Sequence, residues 1–211
     1  MASQGPYSGA TFANDTSIGG YAWANPGNAA SSDDIKSINA GLHINYISNY
    51  LKATNFSFSI PADATINGIK VDVEVQTNGN VKDWSVKIVK GGVISGSEMA
   101  PGNNLTASDV YYSFGGTNSL WGLSWDFGDI NANNFGVVYC VKNWNSFYLC
   151  YPKVDHIRMT VYYTEAAAGP AFNLFVSGAL KDVPTAKIMV GGAWKSISAA
   201  KIMVNGVWKS A

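Results

Sequence analysis

The chain has 211 residues, balanced at 14 basic and 14 acidic side chains, with hydrophobic and charged shares of 47% and 13%. That apolar share excludes general disorder, the length allows one or two domains with a real core, and the low charge leaves Asn, Ser, Thr and Gly to carry the polarity. The zero net charge hides an asymmetry: residues 1–171 hold 9 basic and 13 acidic groups, a net −4, while residues 172–211 hold five Lys and one Asp, a net +4.

The N-terminus, Met1-Ala2-Ser3-Gln4-Gly5-Pro6, has neither a basic n-region nor an apolar h-region, so no secretory signal peptide is expected. No apolar run reaches the ~20 residues of a membrane helix, and a cytoplasmically made, soluble chain is expected. Residues 1–20, rich in Gly, Ser and small polar residues, read as an N-terminal arm or loop, and Gly19–Asn28 has turn chemistry with aromatic anchors. Ser31–Ala40 is the one expected helical turn, with Ser32 as its cap ahead of Asp33 and Asp34.

Strand signals follow. Phe56, Phe58 and Ile60 alternate with serines before Pro61. Ile69, Val71, Val73 and Val75 alternate with Lys70, Asp72, Glu74 and Gln76, a half-buried strand with a solvated face. Trp84, Val86 and Ile88 give another strand, closed by Gly91-Gly92, and Ile157, Met159, Val161 and Tyr163 share one side of the last. Phe135–Val141 and Phe147–Tyr151 read as a hairpin that turns near Trp144-Asn145-Ser146 and sets Cys140 opposite Cys150. Two readings of that pair stay open: a cross-strand disulfide, or two reduced, partly buried thiols, which cytoplasmic synthesis favours. Many short strands between Gly, Asn and Pro turns predict an all-β fold, an antiparallel, jelly-roll-like β-sandwich over residues 21–164. Glu165–Ala171, small residues with a Gly-Pro break, reads as a linker (165–171).

Residues 172–211 write one unit three times at a 14-residue interval: Leu174–Lys181, Ile188–Lys195 and Ile202–Lys209. Gly191-Gly192 and Asn205-Gly206 are two-residue hairpin turns, with Ser177-Gly178 at the matching place. This register sets Phe175 opposite Leu180, Met189 opposite Trp194, and Met203 opposite Trp208, one large apolar pair per hairpin. A lone hairpin is marginal in water, so these six residues are expected to form an assembly interface, on another protein or between sister chains. The tail lysines either attract an acidic neighbour or nucleic acid, or blunt exposed strand ends against unwanted pairing; the second reading is preferred and nucleic acid is not an expected partner.

No catalytic constellation emerges. His156 follows Asp155 on a strand, so the two point to opposite faces and form no relay. The cysteines lack the spacing of a zinc site. Asp126-Phe127-Gly128-Asp129-Ile130-Asn131 gathers oxygen atoms without the calcium-loop spacing and reads as an Asp- and Asn-capped turn. Asp72 and Glu74 read as a solvated face. Trp121, Trp125 and Trp144, with Tyr111 and Tyr112, offer a sugar-stacking platform, although Trp121, Leu123 and Trp125 share one face, which suggests core. No catalytic, cofactor or metal site is expected.

Two sets of residues carry a resemblance. The segments 49–61, 64–71, Ser119–Leu123, Asn133–Val137 and Val154–Tyr163 together resemble a β-sandwich domain of tailed-bacteriophage and prophage virion proteins. The Lys187–Lys195 unit resembles Gly-Gly-x-Trp-Lys repeats at the ends of phage structural proteins, although the first repeat has Leu180 where the others have Trp. The resemblance implies a non-enzymatic virion component of capsid decoration or tail-fibre type, often a homotrimer, located on the virion and partnered by other virion proteins. The alternative is a carbohydrate-binding, receptor-recognition module on a phage fibre, with a host-surface glycan as partner.

Overall fold

In a computed structural model, residues 1–145 and 147–166 are described in full, and of the rest only the backbone of six strands between Phe172 and Ser210. Two compact units divide the chain, Met1–Glu165 and Ala166–Ala211.

The first unit is all-β, two antiparallel sheets face to face. One sheet runs β3 (Trp23–Ala24), β4 (Ser37–Asn39), β11 (Lys153–Thr164), β6 (Thr65–Gln76) and β9 (Val110–Gly115), with β1 (Ala2–Ser8) also paired to β11. The other runs β2 (Thr11–Asp15), β5 (Tyr50–Thr54), β10 (Gly136–Asn143), β7 (Val81–Lys90) and β8 (Val93–Ser95). The core lies between them. Ile69, Val71, Val73 and Val75 of β6 and Ile157, Met159 and Val161 of β11 face Leu51, Ala53, Val137, Tyr139, Val86 and Ile88 of the second sheet. The period-2 alternation that predicts β6 and β11 is the pattern that buries one face of a strand.

Several expectations need correction. Residues 1–20 are not an arm: β1 pairs with β11 and β2 with β5, so this segment joins one strand to each sheet. Ser31–Ala40 is not helical. Asp34 takes a left-handed φ of 66°, the Asp33 Oδ1 accepts from the Ile35 amide, and Ser37–Asn39 forms β4 with Ser37 and Asn39 buried. Local side-chain bonds to the backbone competed with the helix there. The helices are instead a 3-10 turn at Pro26–Ala29 and α1 (Phe127–Asn131). Trp84 does not join Val86 and Ile88 in the core. Val141 pairs with Asp83 and Cys140 with Ser85, so Trp84 is the extra residue of a bulge that shifts the inward set from Val81 and Asp83 to Val86 and Ile88. Trp84 is exposed.

The cysteine hairpin does not form either. Cys140 lies on β10 in a small apolar cluster with Tyr50, Val89 and Val138, whereas Cys150 bridges to Leu42 and belongs to the main core. Both are free, buried thiols, and burial pushes the Cys140 thiol well above its ordinary pKa.

The second unit contains three two-stranded ribbons: β12 (Phe172–Val176) with β13 (Ala179–Val183), β14 (Lys187–Val190) with β15 (Ala193–Ser196), and β16 (Lys201–Val204) with β17 (Val207–Ser210). Their backbone registers pair Phe175 with Leu180, Met189 with Trp194, and Met203 with Trp208. The Ser177-Gly178, Gly191-Gly192 and Asn205-Gly206 turns, residues 167–171 of the expected linker, and the side chains of the six paired residues lie outside the described residues.

Candidate functional site

A concavity of the sandwich lies where β11 begins. Lys153 is opposite both Ile38 of β4 and Gln76 of β6. With residues 77–78, Ala107 and Tyr151 it lines a pocket of about 420 Å³. That is a size for small ligands. Its walls combine an aromatic ring (Tyr151) and an aliphatic chain (Ile38) with two amides (Gln76, Asn78) and an ammonium (Lys153), and Thr77 and Ala107 complete the lining.

Each wall is held. The Tyr151 amide donates to the Asn78 Oδ1 at 2.7 Å, which ties the chain entering β11 to the chain leaving β6. Gly41, at φ +119°, lies under Tyr151 and Leu149, where an added Cβ would come 3.3 Å from both side chains. The Gln76 amide, oriented by its neighbours, donates to the Ala107 carbonyl at 3.1 Å and accepts from the Lys36 Nζ at 3.2 Å. The Thr77 amide donates to the Thr106 carbonyl at 2.9 Å, while its buried hydroxyl has no partner.

Beside the pocket, the segment 144–151 exposes a run of apolar rings. Phe147 is 87% and Tyr148 85% accessible, and Trp144 and Leu149 are each about two-fifths exposed. The backbone beneath is fixed: Leu42 and Cys150 exchange amide bonds of 2.8 and 3.1 Å, and the Trp144 amide donates to the Asn80 carbonyl at 3.1 Å. Trp144 and Trp84 share the Lys82 ammonium, at 5.6 and 5.9 Å from the ring centres, and Lys142 stands 4.3 Å from Trp84. Large apolar side chains held out on a braced loop mark a contact surface.

The three tryptophans expected as a sugar platform do not come together. Trp121 is buried, with left-handed φ, and its indole donates to the Ile69 carbonyl at 3.0 Å. Trp125 packs edge-on to Phe135 at 5.4 Å, with the Lys90 ammonium 5.1 Å from its ring. Both support the core from a loop rather than from a strand. Only Trp144 stands on the exposed surface.

The polar clusters are similarly engaged. Asp126 and Asp129 exchange backbone bonds at the start of α1, a capping box. Asn131 clasps the Ile60 backbone from both sides. Asp72 is buried rather than solvated. Burial alone would raise its pKa, but Lys70, Ser113 and Arg158 hold it below the ordinary value. His156 meets the Ser8 hydroxyl at 2.7 Å through Nε2 and the Tyr111 hydroxyl at 2.8 Å through Nδ1, and burial followed by the Arg158 charge depresses its pKa. Asp155 sits in a bulge and accepts from the Asp34 amide, with no bond to the imidazole. His43 is exposed, 5.6 Å edge-on from Tyr46.

No protein-family model matches this sequence, and neither does any curated protein. A solved structure described as "CBM4 structure and function" aligns at a TM-score of 0.38 and 10% identity, over 61% of this chain and 85% of that one. A likeness at that level bears on neither ligand nor function.

Sequence reasoning missed the pocket because its residues come from β4, β6, the 107 segment and β11, which are distant in the chain. The exposure of Phe147 and Tyr148 carried no local signal either, because a continuous apolar run such as Phe147-Tyr148-Leu149 reads as well as a buried strand. Among the described residues, no helix is long and apolar enough to cross a membrane.

Proposed function

We propose that this chain is a non-catalytic saccharide-binding module, with the pocket at the start of β11 as its binding site. The carrying observation is the lining: an aromatic ring and an aliphatic wall beside two amides and an ammonium, in about 420 Å³. A sugar ring presents an apolar C–H face and a rim of hydroxyls, and this lining offers a surface for each. The exposed rings of Trp144, Phe147 and Tyr148 extend the apolar contact beyond a single sugar unit. A glycan array probed with the whole chain tests the reading. Binding in the micromolar range, lost in Tyr151→Ala and weakened in Trp144→Ala while both variants keep the wild-type circular dichroism, is expected. No binding, or binding indifferent to both changes, would sink it.

A second reading rests on the C-terminal ribbons. Three registers that each pair two large apolar residues favour an assembly device. The resemblance to phage virion proteins supports placing that assembly on a virus particle, as a decoration or fibre component, with a trimer as the expected state. The two roles are compatible, since a fibre needs both attachment and reach. Sedimentation of the whole chain and of a chain ending at Glu165 tests it. An oligomer that dissociates on truncation is expected, and an unchanged state would count against it.

A further inference from the structure

We propose that Asp34, Asp109 and Asp155 hold a calcium ion. One carboxylate oxygen of each lies within 4.8 Å of the others. Calcium takes oxygens at about 2.3–2.6 Å, so three oxygens around one ion stand at most roughly 4.5 Å apart when evenly spaced, and a small inward shift of the carboxylates from the 4.8 Å limit lets one ion touch all three. Three segments meet here: the loop before β4, the chain entering β9, and the bulge of β11.

The independent observation is an unused, buried acceptor on a residue of the cluster. Asp155 is 2% exposed. Its Oδ2 accepts from the Asp34 amide at 3.2 Å, but its Oδ1 is buried without any partner, and so is the Oδ1 of Asp109. Leaving buried carboxylate oxygens unpaired is costly. Buried carboxylates in this state call for a counter-charge.

Lys36 supplies only part of that charge. Its Nζ lies 2.8 Å from the Asp34 Oδ1 and 2.7 Å from the Asp109 Oδ2, while the Oδ1 atoms of Asp109 and Asp155 keep no partner. Three carboxylates against one ammonium leave two formal negative charges, which a dication neutralises. Glu74, coupled electrostatically to Asp155 and also carrying a buried unpaired oxygen, adds a further negative charge to the surroundings. An all-oxygen donor set selects a hard cation. Ligands drawn from three segments, one of them the exposed Asp34, suit the flexible shell of calcium better than the strict octahedron of magnesium. Water completes the shell on the open side at Asp34.

The ion stabilises the fold by binding it in preference to the unfolded chain. The test uses the whole chain, freed of metal with EGTA and titrated with calcium chloride. A melting midpoint raised by several degrees at 2 mM calcium, reversed by EGTA, is expected, together with one site per chain by calorimetry. Asp155→Asn and, independently, Asp109→Asn should each weaken calcium binding at least tenfold, while Asp63→Asn on an exposed turn should leave it unchanged. No calcium-dependent shift or heat would overturn the proposal and leave Lys36 as the sole counter-cation. Full binding retained in both cluster variants would overturn the location. An equal shift with magnesium chloride would overturn the choice of ion.

Discussion

Asp83 offers the sharpest test of the packing. It faces the core from β7, fully buried, and neither carboxylate oxygen has a hydrogen-bond partner. Burial pushes its pKa from 3.8 up to about 6, against partial relief from the nearby backbone of Asn103 and Gly102. The unfolded chain ionises this group near 3.8 and the folded chain only near 6, so stability is fully present below 3.8 and is lost as pH rises through that window. About 2 pK units at 1.36 kcal/mol each make the loss roughly 3 kcal/mol above pH 6. Asp83→Asn keeps the shape and does not titrate. Any constant effect of the amide cancels when the variant is compared with the parent at two pH values. Urea unfolding followed by tryptophan fluorescence at pH 3.5 and pH 7.5 should show the variant gaining about 3 kcal/mol on the parent, or ~1.5 M in midpoint at a slope near 2 kcal/mol/M. A gain below about 0.5 kcal/mol would mean that water or an unseen partner reaches the carboxylate, and the burial argument would fall.

The remaining predictions concern close packing. Trp121→Phe removes one of two donors to the Ile69 carbonyl, the Gly116 amide at 3.0 Å being the other, and should cost about 0.5–1.5 kcal/mol in urea unfolding; no loss would show that the indole bond contributes nothing net. Gly136→Ala would place a Cβ 2.0 Å from the Ala53 carbonyl oxygen, against open space for Gly20→Ala; the first should lower the melting temperature sharply and the second hardly at all. Cys140 and Cys150 should resist a water-soluble disulfide reagent in the native chain and react once urea exposes them. Rapid native reaction of Cys140 would contradict its burial.

The alternating strands were legible because one strand face meets one core. β6 and β11 repeat their apolar residue every second position, and the strand registers at the C-terminus are those that the sequence repeat predicts. What escaped depends on distant partners. β1 and β2 carry little apolar signal, and they are strands because β11 and β5 offer edges to pair with. The bulges at Trp84 and Asp155 insert one residue and turn side chains to the other face, which no local periodicity announces. The pocket and the aspartate cluster share that origin: each gathers residues from three or more separate segments. The aromatic platform was misplaced because frequency alone cannot separate a ring that fills the core, such as Trp121, from one held out by a braced loop, such as Tyr148.

Ala2 pairs with Tyr163 across neighbouring strands, so the sandwich begins and finishes about one strand spacing apart, near 5 Å. A domain with adjoining ends can be spliced into a surface turn of a foreign protein without prying that turn open. The same closeness permits a circular permutant: a short bridge from Thr164 to Met1, with new ends opened at Gly91-Gly92, should fold to the same pair of sheets.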